Sequence, residues 1–149
     1  HITIAIIGRD RQSPARALFD DYSGRLPWTV TLKEMEPKGP RAREEASLLA
    51  EAIPQGAKLV ALDERGSALS SEALARQIAI WQESGVRDIG FLIGGADGLD
   101  PALCARADLV LSLGPMTWPH LLVKAMLAEQ LYRAFTILSG HPYHRKSAI

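Results

Sequence analysis

The C-terminal segment brings several chemistry-bearing side chains together. Tyr143, His144 and Arg145 stand in a row, with His141 and Lys146 close on either side. An aromatic ring, imidazoles and fixed cations in one short stretch can stack on an unpaired base and neutralise a nearby phosphate. A frayed, solvated terminus can have the same composition, so the pattern alone leaves both interpretations open.

A stiff loop lies upstream of this tail. It consists of Gly114, Pro115, Met116, Thr117, Trp118 and Pro119. A glycine and two prolines make such a loop irregular, so it keeps backbone donors and acceptors that regular structure does not use. With Leu62, Leu113 and Met116 as apolar walls, these groups could form a pocket for an adenosyl group. An ordinary crossover loop is the alternative.

Small residues form a third candidate segment between a predicted strand and a predicted helix. The segment consists of Gly94, Gly95, Ala96, Asp97 and Gly98. Small side chains let a ligand approach the backbone closely, although a tight turn alone would explain them equally well. No G-x-G-x-x-G motif follows any predicted strand, so a dinucleotide site of the usual kind is unsupported.

The predicted helix over residues 119–138 is apolar almost all round. Such a helix is either deeply buried or meets another subunit with its second apolar face, and we favour a two-fold dimer. Glu129 and Arg133 are spaced i,i+4 on this helix, as in an ordinary surface ion pair. Their apolar surroundings make a functional pair more plausible than usual.

Strands and helices must position these segments, and they alternate along the whole chain. Strands are predicted at 2–8, 28–35, 59–62, 89–93 and 109–113, and helices at 13–25, 42–53, 70–85, from 100 for a short stretch, and 119–138. A polar loop is predicted at 63–67. The alternation predicts a single α/β domain over 1–149, with a mostly parallel sheet and helices on both faces. Ligands then bind beyond the strands' carboxyl ends, after Leu62, Ile93 and Leu113.

Composition narrows the classes of function. The chain has 149 residues, with 17 basic and 17 acidic side chains, which argues against indiscriminate nucleic-acid binding. Any RNA contact therefore needs a local basic cluster or a face assembled from two subunits. The one cysteine, Cys104, excludes an internal disulfide framework and a cysteine-rich zinc site, so we expect no metal and a reducing, cytoplasmic setting. No apolar run reaches the roughly 18 residues of a membrane span.

Several motifs occur together in the order and spacing of one known family. They are residues 91–98, Met116-Thr117-Trp118-Pro119-His120, Glu129-Gln130-Leu131-Tyr132-Arg133 and Pro142-Tyr143-His144-Arg145, with weaker matches at 62–66, Ser70-Ser71 and 22–26. On these motifs the chain resembles the ribosomal large-subunit methyltransferase H family of the SPOUT superfamily. The alternation of strands and helices alone would predict a flavodoxin-like sheet, whereas the resemblance implies a C-terminal trefoil knot, which most folds avoid.

The resemblance also implies an activity and its partners. Family members are homodimers that use S-adenosylmethionine to methylate N3 of a pseudouridine in the 23S rRNA of the assembled ribosome. The cofactor site, near the subunit interface, would carry over to Leu62, Gly94 and the loop Gly114, Pro115, Met116, Thr117, Trp118 and Pro119.

Loss of the imide proton at N3 needs a base or nearby cations. Our hypothesis is that Tyr143, His144 and Arg145 hold and polarise the base, while Arg133 or His120 assists across the interface. Arg65 and Lys124 are candidate phosphate contacts. The sequence departs from the family at Lys124, where arginine is usual, at Gly114-Pro115, which replaces a Ser-containing pair, and at residues 146–149, which extend the usual ending.

Two rival functions belong to other classes. A doubly wound nucleotide-binding oxidoreductase would need a glycine fingerprint after Ile7, yet only Gly8 is present. A non-catalytic ribosome-binding module would have lost the cofactor, and the intact loops at 94–98 and 114–119 argue against that loss.

Overall fold

The computed structural model describes residues 1–10, 12–36, 42–95 and 97–145. The strands are β1 (Ile2–Ile7), β2 (Val30–Met35), β3 (Lys58–Ser67), β4 (Ile89–Ile93) and β5 (Leu109–Leu111). The helices are α1 (Pro14–Gly24), α2 (Ala42–Ala52), α3 (Ser71–Glu83), α4 (Pro101–Arg106) and α5 (His120–Ser139). Apart from β3, these elements begin and end within about three residues of the predicted boundaries, the usual precision of element ends.

Local sequence explains where the helices begin. The Ser13 hydroxyl accepts the Arg16 N–H at 3.3 Å, and Pro14 occupies the first helical position of α1, where its missing N–H costs nothing. In the same way the Ser70 hydroxyl accepts the Ala73 N–H at 3.1 Å and starts α3. These caps give a partner to a backbone N–H that the first turn of each helix would otherwise leave unpaired.

The five strands form one parallel sheet with helices on both faces, as predicted. On one face α1, α3 and α5 cover the sheet around Phe19, Ile78, Phe91 and Leu131, which are all buried. On the other face α2 and α4 contribute a smaller core that includes Leu49 and Leu103. Every residue of β1 and β4 is buried, as expected for central strands covered on both sides.

The strand order is β2-β1-β4-β3-β5, with all neighbouring pairs parallel. A flavodoxin-like winding would place β3 next to β1, but here β4 occupies that place and β3 lies outside it. The carboxyl ends of β3, β4 and β5 therefore lie side by side at one edge of the sheet. The trefoil knot expected for the C-terminal part stays a prediction.

The polar loop predicted at 63–67 is wrong, because β3 continues to Ser67. Its pairing with β5 shifts register on the way, so that Leu62 and Ser67 both pair with Leu111. The intervening residues bulge out of the ladder, which re-aims their side chains as bulges commonly do near functional sites. The charged residues in this stretch are typical of a loop, but the pairing of Ser67 with Leu111 of β5 makes it part of the strand.

Candidate cofactor cleft and tail cluster

A cleft of about 450 Å³ opens at the carboxyl ends of β3, β4 and β5. Most of its lining comes from the β3 bulge, the glycine loop after β4 and the loop after β5. From the predicted cofactor positions, the lining includes Leu62, Gly94, Gly114, Met116, Thr117 and Trp118. Pro115 and Pro119 belong to the same loop but do not line the cleft. Six of the eight predicted positions therefore meet at one concave surface.

The glycine loop depends on close backbone contact. Gly95 and Gly98 form an isolated antiparallel bridge, and Gly98 has a φ of 79°. A Cβ on Gly94 would lie 2.6 Å from the backbone carbonyl carbon and oxygen of Gly98, closer than any side chain tolerates. The loop therefore requires glycine at 94 to fold back against itself at the floor of the cleft. Ala96 lies outside the described residues.

Ser112 ties the loop after β5 to the β3 bulge. Its hydroxyl accepts the Gly114 N–H at 3.0 Å and lies 3.1 Å from the carbonyl oxygens of Glu64 and Gly114. Met116 and Trp118 remain 69% and 39% exposed at the cleft mouth. Two large apolar side chains in contact with solvent beside a cleft are suited to cover a bound ligand.

Carboxylates dominate the polar lining of the cleft: Asp63, Glu64 and Asp97. The guanidinium of Arg65 binds Asp63 through Nε at 3.1 Å and Nη2 at 3.0 Å, and this contact lowers the pKa of the Asp63 carboxyl. Burial, reinforced by the neighbouring Asp63 carboxylate, raises the pKa of the Cys104 thiol, so this cysteine is not an activated nucleophile.

His120 lies at the start of α5 and lines the cleft. Its Nε2 lies only 3.1 Å from the place where a Cβ on Gly8 would be, so the end of β1 leaves room for the ring. Of the predicted catalytic residues, His120 is the one that shares the cleft with the predicted cofactor positions.

Arg133, Tyr143 and His144 lie together in a second arrangement with Glu72 and Glu129, which we call the tail cluster. Arg133 binds Glu129 through Nη2 at 2.6 Å, and its Nη1 lies 3.1 Å from His144 Nδ1. The Tyr143 hydroxyl donates to Glu129 at 3.0 Å, and His144 Nε2 lies 2.5 Å from Glu72 Oε1. The tail is therefore docked on α3 and α5 through its polar side chains.

Aromatic contacts complete the tail cluster. The Tyr143 ring meets Tyr132 edge-on with centroids 4.7 Å apart, and the Arg133 guanidinium lies 4.9 Å from the Tyr143 ring centre. Burial, together with hydrogen bonds to Tyr22 and Glu129, raises the pKa of the Tyr143 phenol. Tyr143 thus stays protonated near neutrality and acts as a donor. Arg145 is exposed, and residues 146–149 lie outside the described part of the chain.

An apolar groove of about 580 Å³ shares lining residues with both sites. Leu113 and Gly114 line both the cleft and this groove, and Glu129 of the tail cluster also lines the groove. Further lining comes from Leu18, Leu69, Leu74, Leu122 and Met126. The tail cluster and the cleft are thus neighbours, although His120 and His144 do not share a pocket within one chain.

The phosphate contact predicted for Lys124 is wrong. Its side chain is completely buried, and its ammonium binds Asp10 at 3.2 Å and Glu34 at 3.4 Å. An ammonium held this way cannot reach a phosphate at the surface. Arg65, whose side chain is 72% exposed, remains available for such a contact.

Sequence reasoning gave no site role to Asp63, Glu64, Asp97 or Glu72. Asp63 and Glu64 belong to a stretch that the sequence marks as polar, but only the bulge in β3 brings them to the cleft. Glu72 carried a weaker signal, since an acidic residue in the first turn of a helix has an ordinary explanation in the helix dipole.

Comparison with known proteins agrees with this arrangement. Residues 1–144 match the family model described as a predicted SPOUT methyltransferase. A solved structure titled as a probable methylase family protein from Haemophilus influenzae Rd KW20 superimposes with a TM-score of 0.60 at 13% identity, covering 97% of this chain and 70% of that one. At this identity the likeness establishes the fold alone.

Curated relatives are far more similar in sequence. Ribosomal RNA large subunit methyltransferase H of Rhodospirillum centenum is 57% identical, covering 95% of this chain and 97% of the relative. The protein of the same name from Paracoccus denitrificans is 54% identical, covering 97% of this chain and 99% of the relative. The chain therefore belongs to the SPOUT methyltransferases and, within them, to the ribosomal RNA large subunit methyltransferase H family.

Two further observations concern the described residues. Among them no group of three or more His, Cys, Asp or Glu side chains is placed to hold a metal ion. No helix in the described ranges has the length and apolarity needed to cross a membrane.

Proposed function

We propose that this protein transfers a methyl group from S-adenosylmethionine to N3 of a pseudouridine in 23S rRNA on the assembled ribosome. The observation that carries the proposal is the cleft in which the three predicted cofactor segments meet, in a chain whose relatives are named as large-subunit rRNA methyltransferases. The neighbouring tail cluster supplies the aromatic and cationic groups that the substrate base would need.

The cleft suits S-adenosylmethionine in size and chemistry. Its 450 Å³ fall within the usual range of small-molecule pockets, and Leu62, Leu113 and Met116 offer apolar surface to an adenine ring. The carboxylates of Asp63, Glu64 and Asp97 complement the positive charges that the cofactor carries on its sulfonium and ammonium groups. When bound, the cofactor supplies an electrophilic methyl group, and the protein's part is to hold and orient donor and acceptor.

The tail residues suit the acceptor. Pseudouridine N3 is an imide nitrogen that must give up its proton, and cations nearby stabilise the resulting anion. Arg133 and Arg145 can supply this charge, while the Tyr143 phenol can donate a hydrogen bond to a base carbonyl. His120 and His144 are the candidate proton acceptors, one in the cleft and one in the tail cluster.

A homodimer would place the two sites together. Leu18, which lines the apolar groove beside the tail cluster, is 44% exposed in a single chain. A second copy of the chain could cover this groove. Arg133 or His120 of one protomer could then assist at the cofactor cleft of the other. A whole ribosome as substrate also fits a chain of formal net charge zero, because shape and a few contacts can replace bulk electrostatic attraction.

The decisive experiment supplies the protein with labelled S-adenosylmethionine and either assembled ribosomes or free 23S rRNA. Nucleoside mass spectrometry should find label on a methylated pseudouridine, and mainly from assembled ribosomes. Calorimetry with the cofactor separates the rival functions. Binding of ribosomes without S-adenosylmethionine binding would indicate a ribosome-binding module, and preference for a nicotinamide cofactor would indicate an oxidoreductase.

A further inference from the structure

His144 has partners at both ring nitrogens, and the chemistry of those partners fixes its protonation. Arg133 carries N–H donors and no acceptor, so the His144 Nδ1 that lies 3.1 Å from Arg133 Nη1 must accept, and must be unprotonated. A carboxylate such as that of Glu72 has only acceptor oxygens, so the His144 Nε2 that lies 2.5 Å from Glu72 Oε1 must carry the proton. A neutral ring protonated at Nε2 satisfies both contacts.

The other two states of the ring fail at one contact or both. An imidazolium would turn an Nδ1–H donor toward the Arg133 guanidinium, leaving two donors and two positive charges face to face. The Nδ1–H tautomer has the same conflict and also turns a lone pair on Nε2 toward the Glu72 carboxylate. The ring is only 15% exposed, so water does little to relieve such conflicts.

The position of Glu72 is set by the beginning of α3. It lies in the first turn of this helix, two residues after the Ser70 cap. The adjacent Ser71 hydroxyl donates to Gln130 Oε1 of α5 at 2.7 Å, which ties the beginning of α3 to the helix that carries Arg133. Glu72 and Arg133 therefore approach His144 from two helices that are linked to each other.

We propose that Glu72 is a positioning residue, which holds His144 as the Nε2–H tautomer and so makes Nδ1 the ring's acceptor nitrogen. A carboxylate that fixes the tautomer of a histidine in this way leaves the opposite nitrogen free to take a proton from substrate. The consequence for the reaction rests on the proposed function. In the RNA complex the imide N–H of the base replaces the Arg133 N–H at Nδ1, and the displaced guanidinium stays beside the developing anion.

Nitrogen NMR tests the protonation state directly. Long-range ¹H–¹⁵N spectra of the full chain near pH 7 distinguish the two tautomers and the imidazolium, and His144→Gln assigns the signals among the four histidines. We expect Nδ1 unprotonated and Nε2 protonated in the wild type. A doubly protonated ring, or a proton on Nδ1, would overturn the proposal without any variant of Glu72.

Variants of Glu72 test the cause. Glu72→Ala should leave a mixture of tautomers, whereas Glu72→Gln keeps an acceptor oxygen and should retain the Nε2–H form. Glu83→Ala, which removes an exposed carboxylate from the same helix, is the matched control and should change nothing. An unchanged tautomer in Glu72→Ala would show that Glu72 is not responsible.

Methylation assays then separate this inference from the proposed function. Glu72→Ala should lower kcat by about a hundredfold, the lower end of what a positioned acid or base contributes, with rescue by Glu72→Gln and unchanged affinity for S-adenosylmethionine. If wild-type protein methylates no RNA, the proposed function fails while the NMR result still decides the role of Glu72. If Glu72→Ala methylates at the wild-type rate, the positioning role is wrong and the function stands.

Discussion

The buried Lys124 ammonium donates to the Asp10 carboxylate at 3.2 Å, and this contact joins the first turns of α5 to the segment that follows β1. Glu34 at the end of β2 accepts from the same ammonium at 3.4 Å and from the Asp10 backbone N–H at 2.8 Å. Arg16 of α1 completes the network by binding Glu34 at 2.5 Å. The side chains of Asp10, Glu34 and Lys124 are almost inaccessible to solvent, whereas Arg16 is 30% exposed. Because each buried carboxylate contacts a cation, their burial is tolerated.

Replacing Lys124 should therefore be costly. Lys124→Met leaves Asp10 and Glu34 beside each other without their shared cation, and we expect the free energy of unfolding to fall by about 3 kcal/mol. Urea denaturation measures this change. Lys58→Met is the control, because the Lys58–Asp108 pair is exposed, 3.7 Å long and worth less than about 1 kcal/mol. Equal losses in the two variants would contradict a buried network.

The same network predicts how stability depends on pH. The hydrogen bond from Ser13, joined by Lys124, lowers the pKa of Asp10 below its ordinary value of 3.8. The folded protein then binds this proton less readily than the unfolded chain. The stability that Asp10 contributes is therefore complete above its pKa in the unfolded chain. This stability is lost as the pH falls through the lower pKa of Asp10 in the folded protein.

Thermal melts between about pH 5 and pH 2 should accordingly show a steep loss of stability. Asp10→Asn should be less stable at pH 7 and show a shallower loss over this range. If the variant and the wild type lose stability in parallel, Asp10 does not contribute to the acid transition.

Lys124 shows that resemblance to a family does not by itself predict the surroundings of a side chain. The motifs placed it in a helix rich in site residues, and a surface phosphate contact followed by analogy. Its actual partners, Asp10 and Glu34, lie 114 and 90 residues away in sequence. A contact over such a distance depends on which strands become neighbours, and strand order is not encoded in local periodicity.

Strand order also limited which features of the cleft could be predicted from the sequence. Alternating apolar runs predicted every strand and helix, and the rule for parallel sheets selected the three loops that line the cleft. The exchange of β3 and β4 in the sheet arises from the pairing of β4 with β1, and the bulge that brings Asp63 to the cleft arises from the pairing of β3 with β5. The local sequence therefore predicted where the cleft lies, but it did not predict the carboxylates that line it.

Gly94 should be essential to cofactor binding. Gly94→Ala places a Cβ 2.6 Å from the Gly98 carbonyl group, so the loop must open and the cleft floor must change shape. Calorimetry should show affinity for S-adenosylmethionine reduced by about tenfold or more, equivalent to about 1.4 kcal/mol. Gly24→Ala is the control, since the added methyl group meets no atom within 4 Å beyond its chain neighbours and the adjacent backbone of its own helix. Unchanged affinity in Gly94→Ala would show that the cofactor does not bind against this loop.

The groove should be covered by a second copy of the chain. Met126→Glu introduces a charge among Leu18, Leu74 and Leu122, which a second protomer could not bury without cost. Light scattering should report twice the chain mass for wild type and a single mass for the variant, with unchanged circular dichroism. Ile80→Glu, at an exposed apolar position that does not line the groove, should remain dimeric. A monomeric wild type would refute the dimer itself.

The tail should be needed for methylation but not for cofactor binding. Removal of residues 141–149 deletes Tyr143, His144 and Arg145, none of which lines the cleft. Calorimetry with S-adenosylmethionine should give an unchanged affinity, while nucleoside mass spectrometry should show methylation reduced by about a hundredfold or more, because the groups that hold and polarise the base are gone. Removal of residues 146–149 alone keeps those three side chains and should leave the activity near that of the wild type. Full activity without residues 141–149 would exclude the tail from catalysis and return the search for a proton acceptor to His120, the histidine that lines the cleft itself.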